Sequence, residues 1–174
     1  MCKSLEKKFF KIEPMNIKRL NKEELKKIQN SESELEINQN RIILRFIDFD
    51  FNPDEISEKL GLKPLSIARK GEDYFVGKRK FKKTYDCNHW DYEIKIETND
   101  FIGDTVTNFI ETIIKPRIEL IKEISNTCRI TRLIIVQYYY TGCNPGYFFE
   151  KEQIKILADI NAEIDMDIYC LSDD

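Results

Sequence analysis

The chain has 174 residues, 41% of them hydrophobic and 34% charged, with a net charge of −3; that is room for one domain with a real core plus an extension, and short for two. No run approaches the ~18 apolar residues of a membrane span, the N-terminus "MCKSLEKKFF" lacks an apolar leader, and five cysteines without a CxxC pair read as reduced thiols in a cytoplasmic protein. The acidity argues against a general binder of nucleic acid or anionic membrane, but it is uneven: residues 1–40 carry nine basic and seven acidic side chains, residues 41–100 twelve of each, and residues 101–174 seven basic against twelve acidic.

Residues 1–40 read as an N-terminal extension. "NKEELKKIQN" has Asn21 as a cap with Leu25 and Ile28 three apart, which predicts a short amphipathic helix; the polar "SESELEINQN" follows as a linker. Apolar density rises at Ile42, so a single domain is expected over 41–174. "RIILRFIDFDF" is a predicted strand with apolar residues on both parities, the mark of a strand covered on both faces or central in its sheet. In "NPDEISEKLGLKP" Asn52 caps a helix, Pro53 takes its first position, Asp54 and Glu55 suit the positive end of its dipole, and Gly61 ends it.

Residues 64–84 predict an irregular strand or ribbon. "HWDYEIKIET" alternates strictly: Trp90, Tyr92, Ile94 and Ile96 face a core, and His89, Asp91, Glu93, Lys95 and Glu97 face away. "DTVTNFIETIIKPRIELIKEISN" is a predicted long helix with one apolar stripe, kinked or divided at Pro116. "RITRLIIVQYYYT" is a strand, "GCNPGY" a turn, "FEKEQIKILADIN" a helix and "NAEIDMDIYC" a last strand. The element order predicts an α+β fold: a ferredoxin-like βαββαβ unit extended by a C-terminal αβ, a mostly antiparallel sheet with helices on one face.

Three features together, the run Pro53-x-x-Ile-x-x-x-Leu-Gly-Leu-x-Pro64, Trp90 and the closing Asp167-Ile168-Tyr169, make residues 41 to 171 resemble the bacterial domain-of-unknown-function family 4279. The resemblance implies a small intracellular α+β domain and brings no catalytic or ligand residues. Domains of this size and orphan character often turn up as immunity proteins of toxin systems, an association about a class.

The last strand sets Glu163, Asp165 and Asp167 on one parity and Ala162, Ile164, Met166, Ile168 and Cys170 on the other. With the Trp90 strand in the same sheet, Asp91, Glu93 and Glu97 join the outer acids. A catalytic carboxylate pair needs one desolvated member, and a Mg²⁺ or Ca²⁺ site needs converging oxygens; an open sheet face offers little of either. Arg45, Lys95 and Arg132 are the expected cross-strand partners, with Asp167 placed to pair with Arg45. The expectation is a non-enzymatic protein-binding surface of Glu163, Asp165, Asp167, Asp91 and Glu93, with Tyr139 from the run Tyr138–Tyr140 as its aromatic. It takes no cofactor or metal, and the concrete form is an immunity or inhibitor protein that neutralises a cognate toxin.

A first alternative is a nucleic-acid contact through Arg69, Lys70, Lys78, Arg79, Lys80, Lys82 and Lys83, interleaved with Tyr74, Phe75 and Phe81; lysines also protect sheet edges. A small-ligand or metal-dependent enzyme ranks last. Cys87-x-His89 has no second ligand pair, and "GEDYFVGK" lacks the Gly-Lys-Ser/Thr ending of a P-loop.

Overall fold

The computed structural model describes residues 38–76, 79–97, 101–140 and 146–171. The expected N-terminal helix, Cys2, Lys78, Cys143 and the side chain of Glu97 lie outside what is described. Strand β1 (Gln39–Ile47) opens two residues ahead of the expected domain start and is followed by helix α1 (Asp54–Leu60). Both ends of α1 follow from local chemistry. Asn52 Oδ1 accepts the Asp54 N–H at 3.1 Å, Glu55 reaches back to the Asn52 N–H, and Gly61 adopts φ 63° while its N–H closes on the Ser57 carbonyl.

Three strands follow. β2 (Ser66–Ala68) is a short edge strand of the main sheet, and β3 (Asp73–Val76) pairs with β4 (Arg79–Thr84) as a separate two-stranded ribbon. β5 (His89–Glu97) lies antiparallel to β1. The predicted long helix then appears in pieces: α2 (Ile102–Phe109), a π turn (Ile110–Ile114), a 3-10 turn (Lys115–Arg117) and α3 (Ile118–Ser125). The division has a cause in Pro116, which offers no N–H and crowds the carbonyl four residues back, at Thr112. Arg117 serves the disturbed turn. Its Nη1 donates to the carbonyls of Thr112 and Ile113 at 3.2 and 3.1 Å, and its Nε to the Leu60 carbonyl of α1 at 2.7 Å.

β6 (Ile130–Tyr139), α4 (Lys151–Asp159) and β7 (Ala162–Cys170) complete the chain. The main sheet has the order β2-β5-β1-β6-β7, antiparallel except for the β6–β7 pair. Its first four strands are consistent with the ferredoxin-like unit expected from the element order, and β7 extends the sheet at one edge. The helices cover one face, where Ile42, Leu44, Phe46, Trp90, Leu133 and Ile135 form the core floor under Ile56, Val106, Phe109 and Ile121. β1 is central, as its apolar residues on both parities anticipate: its other face carries Ile43, buried with Ile134 and Val136 of β6.

Candidate functional site

Strand register determines which charges on the face opposite these helices become neighbours. Across the sheet, Asp91 of β5, Arg45 of β1, Arg132 of β6 and Glu163 of β7 stand in one row. Two adjacent arginines at the centre turn outward to the two acids. Arg45 grips Asp91 with two parallel bonds, Nε to Oδ1 and Nη2 to Oδ2, each 2.7 Å, and Ser66 Oγ adds a third donor at 3.1 Å. Asp91 is buried, and this fork geometry satisfies it. The bond to Asp91 also raises the Arg45 pKa above its usual value, against the opposing effect of burial. Arg41 pairs with Glu93 one row along. On the far side Arg132 holds Glu163 at 2.6 Å and approaches Asp165 at 3.7 Å.

The expected acidic surface is therefore divided. Asp91 and Glu93 share the face of Glu163, Asp165 and Asp167 but stand three strands away, about 14 Å at ordinary strand spacing, and two arginines engage them. Asp167 does not meet Arg45: β7 neighbours β6, not the central strand, and Arg45 is held by Asp91. Among the described residues Asp167 has no ion-pair partner. Tyr139 lies on the opposite, core-facing side of β6, buried, where its hydroxyl accepts a 3.0 Å bond from Gln137 Nε2; it does not reach the acidic face.

Four residues of β7 to which the sequence pattern assigns no role stand out. Ile164, Met166 and Ile168 share the core-side parity with Leu133 and Ile135, yet they are 41%, 36% and 40% exposed while their two neighbours are fully buried. Tyr169 lies flat on Tyr138 of β6, ring centroids 5.0 Å apart and planes 11° from parallel, on the acidic face beside Asp167. Alternation marks all four as strand residues, but it carries no sign that β7 is an edge.

The basic ribbon is a hairpin whose cations are largely engaged nearby. Arg69 pairs with Asp54 and Glu72, Lys80 with Asp73, and Arg79 and Lys83 stand over the rings of Phe81 and Tyr74. Lys82 and Lys70 are exposed. Between the hairpin and the outer sheet face is a cleft of about 410 Å³, with Arg45, Tyr74, Tyr85, Cys87, His89 and Asp91 in its wall. Its best-placed charges, Arg45 and Asp91, are committed to each other. Cys87 Sγ lies 3.2 Å from His89 Nε2. Burial pushes the thiol pKa up and the imidazole pKa down, so the couple is neutral near pH 7, the reverse of an activated thiolate–imidazolium pair. Among the described residues no three His, Cys, Asp or Glu side chains converge as a metal site, and no helix is long and apolar enough to cross a membrane.

Residues 36–171 match the family described as a domain of unknown function (DUF4279), and the chain belongs to that family. The signature residues do structural work: Ile56, Leu60 and Leu62 enter the core, and the buried Trp90 donates its indole N–H to Ser57 Oγ of α1 at 2.9 Å. No curated protein and no solved structure matches the chain.

Proposed function

We propose that this member of the family is a non-enzymatic protein-binding domain that meets its partner with the C-terminal edge of its sheet. The observation that supports this is the placement of Glu163, Asp165 and Asp167. They stand on one face of β7, none of them buried, with ~7 Å between alternate residues of an extended strand. Acid–base work by two carboxylates needs one of them desolvated enough to stay protonated at neutral pH, and this row lacks that enclosure. A splayed, wet row suits a complementary surface.

The finer form of the proposal is a cytoplasmic bacterial immunity or inhibitor protein that covers the active site of a cognate toxin. Residues 101–174 carry seven basic and twelve acidic side chains, a field that steers a basic partner such as a nuclease. The nucleic-acid alternative draws less support, because Arg69, Arg79, Lys80 and Lys83 already have local partners.

The test is kinetic. The tagged full-length chain isolates its partner from the cells that make it, and stopped-flow fluorescence follows association. Reversing Glu163, Asp165 and Asp167 to lysine is expected to slow association by about tenfold or more at low salt and to flatten its salt dependence. An association rate that does not change on reversal removes the proposal.

A further inference from the structure

The two edges of the main sheet are built differently. β2 is an edge of three residues, too short to template another chain. β7 is an edge of nine residues with no proline, no lysine and an unbroken register against β6. Among the described residues β6 is its one strand neighbour. Its backbone orientation follows from one bond: the Leu171 N–H donates to the Tyr139 carbonyl at 2.6 Å, and Tyr139 is the register partner of Cys170. Alternation then turns the peptide groups of Glu163, Asp165, Asp167 and Tyr169 toward β6, and those of Ile164, Met166 and Ile168 away from it. The outward donors and acceptors therefore belong to the residues whose apolar side chains are also more than a third exposed.

We propose that β7 binds its partner by strand addition, and that the added segment is an extended stretch alternating basic and apolar residues. This rests on the protein-binding reading above and specifies its mode. The main chain of the guest pairs with the outward groups of Ile164, Met166 and Ile168. Its cations lie beside Glu163, Asp165 and Asp167, and its apolar side chains beside the exposed apolar row. Charge selects this guest over a second copy of the chain. Two β7 strands paired antiparallel about a two-fold axis always set equal parities opposite each other, so acid meets acid for an axis at any residue from 163 to 167.

Fluorescence anisotropy on the full-length protein tests this with three labelled peptides: one alternating Lys with Ile or Val, one of the same composition with its lysines in a block, and the alternating one N-methylated at every second amide. The alternating peptide is expected to bind about tenfold tighter than the other two, the size of one to two hydrogen bonds. Met166→Pro removes an outward N–H without touching the β6 ladder and is expected to weaken the alternating peptide by a similar factor, with circular dichroism unchanged. If that variant fails to fold, the N-methylated peptide still decides.

Equal binding of all three peptides, lost on charge reversal of the acid row, overturns strand addition and leaves the acidic-face reading standing. Binding of none, with partner association indifferent to that reversal, overturns both. Dimerisation of the unmodified chain through β7 overturns the proposed occupant.

Discussion

His89 shows how one half-buried ring reports on the fold. It stands on the outer face of β5 at the cleft, with Cys87 Sγ at 3.2 Å. Burial disfavours the imidazolium and moves its pKa below the ordinary 6.5; Asp91 and Asp48 pull the other way, and Arg45 and Arg129 oppose them. The unfolded chain takes up this proton near 6.5 and the folded chain only at lower pH, so between the two values the unfolded state holds more protons. His89 therefore leaves stability unchanged above about pH 6.5 and diminishes it as pH falls through the lowered folded value. Urea unfolding at pH 7.5 and pH 5 is expected to show a larger loss of stability for the natural chain than for His89→Gln; equal losses would mean that the ring is as well solvated folded as unfolded. Position 89 and its parity are plain in the sequence. The cleft around it is not, because the hairpin that forms its other wall is held by contacts between separate strands.

The interrupted helix is the clearest case at the level of elements. The apolar stripe at positions 106, 109, 110, 113, 114, 118, 121 and 124 announces one helix and Pro116 announces its break. They do not announce that Arg117 would collect the carbonyls of Thr112, Ile113 and Leu60, the last of which belongs to α1. Arg117→Ala leaves those acceptors without the guanidinium and is expected to cost about 1–3 kcal/mol, read from urea denaturation. Arg117→Lys should recover only part, since an ammonium lacks the planar fork that spans three acceptors. An alanine variant as stable as the natural chain would show that water replaces the arginine without loss.

For the molecule as a whole, charge and edge geometry act together on assembly. The inner parity of β7 is adhesive, with Ile164, Met166 and Ile168 exposed, and its outer parity repels a like strand. The combined substitution Glu163→Gln, Asp165→Asn and Asp167→Asn removes the repulsion and keeps the apolar row. Sedimentation velocity is expected to show concentration-dependent dimers of this variant at protein concentrations where the natural chain sediments as a monomer. If the neutralised protein stays monomeric throughout that range, the acids are not what keeps the edge from pairing with itself.

Sequence alone determined the features that depend on near neighbours along the chain. The ends of α1 at Asn52 and Gly61, the break at Pro116, the alternation of β5 and β7, and the central place of β1 each rest on backbone sterics or side-chain periodicity over a few residues. Tertiary structure decided who meets whom. Arg45 closes on Asp91 and not on Asp167, β3 and β4 pair with each other and not with the main sheet, and β7 is left at an edge with its apolar row exposed. Those outcomes follow from sheet order, which the packing of the whole core selects among strands distant in sequence, and no local pattern records what lies beyond a side chain once the strands have assembled.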